Sequence, residues 1–217
     1  MSLRLLSQEI DHFLAGDSPG VLCITGKWGV GKTYAWNAML RAVQARKAIP
    51  LPRYSYVSLF GLTSLADVKA AIWENSVDSS LADAAPSIAS VEAAFATARS
   101  GWRKAMPWLT SVPQLGGYAA LSRQALFLTV RKQIVCIDDL ERSGRDLGVK
   151  DVLGLLSFLK EQRACKVVLL LNEEGLAGDG ASDFKTQLEK VADNVIHLDP
   201  TPAEAAAIGI SAARQSG

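Results

Sequence analysis

Histidine, cysteine and any surplus of charge are scarce in this sequence, and each shortage closes off a class of function. The two histidines, His12 and His197, stand apart and read as structural or surface residues. The three cysteines, Cys23, Cys136 and Cys165, have none of the short paired spacing of a zinc site, and two lie inside apolar runs. They read as reduced core thiols of a cytoplasmic protein. A formal net charge of +1, from 23 Lys and Arg against 22 Asp and Glu, gives no global field to draw in nucleic acid or an anionic membrane. Long apolar runs are missing too. The longest uncharged stretch, Ala105 to Ser122, is broken by Pro107, Pro113, Gly116 and Gly117, so a membrane span is not expected. The N-terminal stretch carries Arg4, Glu9 and Asp11 too early for the apolar centre of a signal peptide. No internal repeat and no Asn-Lys-x-Asp guanine-reading motif occurs.

What remains suits one α/β domain over residues 1–217. Apolar residues make up 49% of the chain and charged residues 21%, the balance of a folded globular protein. Leu3, Leu6, Ile10, Phe13 and Leu14 recur at helical spacing and stop at Gly16. Short β-rich runs follow at Val21–Thr25, Tyr54–Leu59, Ile134–Ile137, Val167–Leu171 and Asn194–Leu198. Helical patterns lie between them: Tyr34 to Ala45, a capped helix from Ser64 and Asp67 to about Asn75, and Val152, Leu155, Leu156 and Leu159. Strands alternating with helices predict a parallel sheet covered on both faces. Residues 76–130 read as an Ala-rich helical insertion ahead of the third run, and Thr201-Pro202-Ala203-Glu204 as the start of a last helix.

Gly26-Lys27-Trp28-Gly29-Val30-Gly31-Lys32-Thr33 matches G-x-x-x-x-G-K-[ST], directly after a predicted buried strand and before a predicted helix. Glycines let successive N–H groups converge on phosphate oxygens, and the helix N-terminus adds partial positive charge. Lys32 then supplies a full charge for the β and γ phosphates, and Thr33 a hydroxyl for magnesium. Tyr34 joins Gly26, Trp28, Gly29, Val30, Gly31, Lys32 and Thr33 as nucleotide-binding candidates. Lys27 reads as a solvated loop charge. Trp28 either packs on the outside of the loop, the favoured reading, or lies over a base.

Ile134-Val135-Cys136-Ile137-Asp138-Asp139 puts two carboxylates at the end of a buried strand, the edge where α/β sheets hold ligands. Asp138 is the candidate magnesium ligand opposite Thr33. Asp139 is the candidate for orienting the attacking water, with Glu141 second. Arg142 and Arg145 either stabilise phosphate in a neighbouring subunit or pair with Glu141 and Asp146. Asn172, closing the next strand, is either a γ-phosphate sensor or a turn residue.

The Trp-Gly pair inside the phosphate loop and the run Asp138-Asp139-Leu140-Glu141-Arg142 together resemble the KAP family of P-loop NTPases, which sits with the STAND and AAA-like ATPases. The resemblance implies a three-layer core with a five-stranded parallel sheet in the order 5-1-4-3-2. It also implies ATP and Mg2+ as ligands, and self-association or an effector protein as partner. Family members often insert transmembrane helices between the two motifs and carry a helical lid with a second sensor; neither is expected here. The function implied is Mg-ATP hydrolysis by a switch or motor module, in bacterial anti-phage defence or signalling. The alternative is an ATP-holding scaffold with little turnover. A small-molecule kinase fits less well beside the acidic pair and Asn172.

Overall fold

Along four strands the apolar side chains alternate between two separate cores, and this alternation decides the layering. A computed structural model describes residues 3–79, 126–172, 175 and 181–201. Its strands are β1 (Gly20–Thr25), β2 (Arg53–Ser58), β3 (Val77–Asp78), β4 (Ile134–Asp138), β5 (Lys166–Leu171) and β6 (Asn194–His197). The helices are α1 (Leu3–Ala15), α2 (Lys32–Ala45), α3 (Leu65–Glu74), α4 (Val149–Arg163) and α5 (Ala181–Val191). Leu22 and Ile24 of β1, Cys136 of β4 and Leu170 of β5 meet Leu6, Ile10, Leu14, Trp36 and Leu40 of α1 and α2. Val21, Cys23, Ile137 and Leu169 point the other way, onto Val68, Ile72, Val152, Leu156 and Leu188 of α3, α4 and α5. Every residue of β1, β4 and β5 is buried, as a sheet covered on both faces requires.

The sheet differs from the five parallel strands expected. It is mixed and has six strands, in the order β3-β2-β4-β5-β1-β6. The added strand, Val77–Asp78, lies in the stretch read as helical and pairs antiparallel with β2 through Tyr54–Val77 and Arg53–Asp78. Two side chains just before it explain the reversal: Asn75 Nδ2 donates to the Tyr56 carbonyl at 2.8 Å, and Ser76 Oγ to Gln133 Oε1 at 3.2 Å. These bonds turn the chain back along β2 instead of letting α3 continue. The other five strands pair in parallel and run β6-β1-β5-β4-β2 from the opposite edge. The rest of the predicted insertion, residues 80–125, and the helix expected after Thr201 lie outside the described residues.

Two local signals, the cap at Ser64 and the apolar stripe from Val152, hold. Ser64 caps α3, its Oγ accepting from the Asp67 N–H at 3.2 Å and donating to the Asp67 carboxylate at 2.6 Å. Val152, Leu155, Leu156 and Leu159 are all buried on α4. Helix α1 ends on Lys166, a residue the sequence presented only as a neighbour of an apolar run. Lys166 is 1% exposed, and its ammonium donates to the carbonyls of Phe13, Leu14 and Gly16, filling the acceptors a helix C-terminus leaves open. Among the described residues no helix is long and apolar enough to cross a membrane.

Candidate functional site

Strands β1, β4 and β5 run parallel, so their C-terminal ends deliver Gly26, Asp138 and Asn172 to one edge of the sheet. From β1 the chain enters the glycine loop. A side chain at Gly26 would bring a Cβ within 2.7 Å of the Leu198 carbonyl, so only glycine fits between the loop root and the chain leaving β6. Gly31, at φ 90° and ψ 26°, takes the left-handed turn that starts α2. Lys32 and Thr33 are the first two residues of that helix. The Lys32 ammonium folds back over the loop, donating to the carbonyls of Gly26 at 2.8 Å and Lys27 at 3.0 Å. Burial pulls its pKa down, while Glu141, Asp138 and Asp139 pull it up.

The acidic strand end meets this loop directly. Thr33 Oγ1 donates to Asp138 Oδ2 at 2.7 Å, joining residues 105 positions apart in sequence. The Tyr56 hydroxyl donates to the same oxygen at 2.9 Å, and the Asp139 N–H to Asp138 Oδ1 at 2.8 Å. Asp138 is 5% exposed. Burial pushes its carboxyl above the usual range, and the Thr33 hydroxyl is the main effect opposing that rise. Asp139 departs into the left-handed region, φ 59° and ψ 36°, a conformation Asp tolerates better than most residues. This turn opens the short 3-10 segment Leu140–Arg142. The Asp139 carboxylate accepts from Ser58 Oγ at 2.6 Å and lies 3.9 Å from Arg142 Nη1. Glu141 reaches the end of β5, its Oε2 3.4 Å from the Asn172 N–H.

All four candidates from the acidic and sensor positions therefore gather beside Lys32 and Thr33. Asn172 is buried. Tyr34 is half-buried in the first turn of α2, and Val30 packs against the α1–α2 side core. Lys27 is exposed, as a solvated loop charge should be. Trp28 corrects the reading: it is 79% exposed and projects from the loop instead of packing on it. A loop that must leave its backbone open at the sheet edge offers a side chain at this position no core to enter. Arg142 is also placed differently. Its guanidinium lies 4.1 Å from the centre of the exposed Phe60 ring and 3.9 Å from Asp139, which among the described residues is the acid it pairs with, and not Glu141. His197 is not solitary, since its Nδ1 is 3.0 Å from Thr25 Oγ1 at the base of the loop.

Two site residues were missed in the sequence, Tyr56 and Ser58. Both lie on β2 at a spacing of two, which turns them to one face of the strand. The available signal was the unusual run of hydroxyls, Tyr54, Ser55, Tyr56 and Ser58, in a sheet whose central strands are mostly apolar.

The residues suit a magnesium–triphosphate group. The glycine loop admits close backbone approach, an ammonium stands over it, and the hydroxyl–carboxylate pair offers the hard oxygen donors that Mg2+ prefers. No protein-family model and no curated protein matches the chain. Among solved structures it is similar to the Orc1 protein of Aeropyrum pernix in complex with DNA. That match has a TM-score of 0.51 and 15% identity, and covers 98% of this chain and 48% of that one. Drosophila ORC bound to DNA is a second structure similar to it, with a TM-score of 0.46, 16% identity and coverage of 91% and 41%. The chain thus spans less than half the length of either. The Orc1 likeness is one of fold alone: an α/β architecture on a mixed, mostly parallel sheet.

Proposed function

We propose that the chain is a Mg-ATP-binding and ATP-hydrolysing P-loop module acting as a switch or motor. The observation that carries this reading is the 2.7 Å bond between Thr33 and Asp138. It joins the two motifs that a magnesium–triphosphate site needs, with the Lys32 ammonium beside them. In this reading the loop N–H groups and Lys32 hold the phosphates, and Thr33 and Asp138 hold the metal. Bound Mg2+ supplies charge neutralisation on the phosphate oxygens. Asp139 accepts a proton from, or orients, the attacking water. Glu141 and Asn172, already in contact, couple the acidic turn to the end of β5. The neighbours' DNA is not carried over, because the charge of +1 offers it no support. The KAP resemblance adds a setting in bacterial defence or signalling. Unchanged phage plaque counts after loss of the protein would remove that setting and leave the chemistry untouched.

The second reading, an ATP-holding scaffold, is favoured by one specific contact. The Asp139 carboxylate is engaged by Ser58 and faces Arg142, which leaves it less free to act on water. Phosphate release from ATP, with GTP as control, separates the two readings. The assay compares wild type with Lys32→Ala and Asp139→Asn over a range of protein concentrations. We expect ATP turnover that both substitutions abolish, and specific activity that rises with concentration if a neighbouring subunit supplies an arginine. Binding without turnover at every concentration would replace the first reading by the second.

A further inference from the structure

One polar group at the site has no part in holding phosphate or activating water: the phenol of Tyr56. We propose that Tyr56 is a specificity-determining residue, which restricts Asp138 to a single remaining oxygen contact and thereby selects Mg2+ over Ca2+. This inference rests on the reading of Thr33 and Asp138 as the metal site.

An ionised carboxylate has about four lone-pair sites. In Asp138 three are taken: Oδ2 accepts from Thr33 and Tyr56, and Oδ1 accepts from the Asp139 backbone. One site on Oδ1 is left. The Thr33 hydroxyl can keep donating to Asp138 while a cation sits on its own lone pairs, so its bond is compatible with metal binding. The Tyr56 bond differs, because it fills an oxygen position that a second metal contact would need.

Tyr56 is also unable to step aside. Its backbone is locked in the middle of β2, in register with Cys136, and its carbonyl accepts from Asn75. Its ring packs against the α1–α2 side core. The consequence follows from ion chemistry. Mg2+ is small, keeps several waters and is content with one oxygen of a carboxylate, whereas Ca2+ takes six to eight oxygens and commonly grips a carboxylate through both. A carboxylate with both Oδ2 positions filled by hydroxyls serves the first ion and starves the second.

The test is the affinity of a fluorescent ATP analogue for wild type and Tyr56→Phe, titrated in Mg2+ and separately in Ca2+. Binding is read directly, without turnover. Wild type should bind more tightly with Mg2+ than with Ca2+. Tyr56→Phe should narrow that ratio by about ten-fold, the scale of one charge-assisted hydrogen bond, mainly through tighter binding in Ca2+. Tyr56→Leu, which lacks the hydroxyl and also the packed ring, should narrow it in the same direction. An unchanged ratio in a variant that melts like wild type overturns the role of Tyr56 alone. A wild type whose nucleotide affinity responds to neither ion overturns the metal-site reading and the inference with it.

Discussion

Two lysines hold backbone carbonyls at opposite edges of the same sheet, and they differ in what surrounds the bond. Lys166, at the start of β5, is fully buried and serves three carbonyls at the end of α1. Lys32, at the C-terminal edge, is half-buried and serves two carbonyls of its own loop. Burial lowers the pKa of both. The counter-charges separate them: among the described residues Asp17 opposes the shift at Lys166, whereas Glu141, Asp138 and Asp139 oppose it at Lys32. The same donor chemistry therefore serves as a fixed cap where solvent is excluded and as an exchangeable one where a ligand can replace the carbonyls.

The comparison breaks most visibly if the two residues are removed in turn. Lys32→Ala should cost two to three orders of magnitude in ATP turnover, about 3–4 kcal/mol, while changing folding stability by less than about 1 kcal/mol. Phosphate release and urea melts read the two effects separately. Lys166→Met should do the reverse. With three helix-end carbonyls left without this donor, one of them on the buried Leu14, unfolding free energy should fall by about 1–3 kcal/mol, and nucleotide affinity of the folded fraction should stay as in wild type. Loss of binding without loss of stability would erase the contrast between the edges.

A smaller effect sharpens the electrostatic side. Asp138 sits buried with a raised pKa, so its ionised form destabilises the metal-free fold. Because the native value lies above the unfolded one, the native state holds the proton longer and stability falls as pH rises between the two. Metal-free Asp138→Asn should therefore melt higher than wild type, by up to about 1 kcal/mol of stability. That advantage should be full above the raised native value and absent below the unfolded value near 3.8, as thermal melts across pH can read. Magnesium-dependent nucleotide binding should be lost in the same variant. The smallest effect belongs to Trp28. It is 79% exposed, so Trp28→Ala should leave stability within about 0.5 kcal/mol of wild type, measured by the same melts.

How much of this was legible depends on whether the signal is local. The loop from Gly26 to Thr33 could be read because strand, glycines and helix start are contiguous, and Asp138 because it closes an apolar run. The five parallel strands were visible for the same reason. Tyr56 and Ser58 were not, since their roles exist only once β2 pairs with β4 about eighty residues later. Lys166 was hidden likewise: nothing beside it in sequence shows that α1 ends against it. The two-residue β3 fell below any periodicity, which needs more residues than it has. Trp28 failed differently, because a large apolar residue is ordinarily expected to find cover.

At the root of the phosphate loop, Gly26 leaves no slack against the Leu198 carbonyl, and the Leu198 N–H is tied to the Thr25 carbonyl at 2.7 Å. The strand that ends at the loop and the chain that leaves β6 are thus geared together. The root of the phosphate loop therefore shares its backbone surroundings with the chain leaving β6, so a bulkier residue at Gly26 would have to displace both.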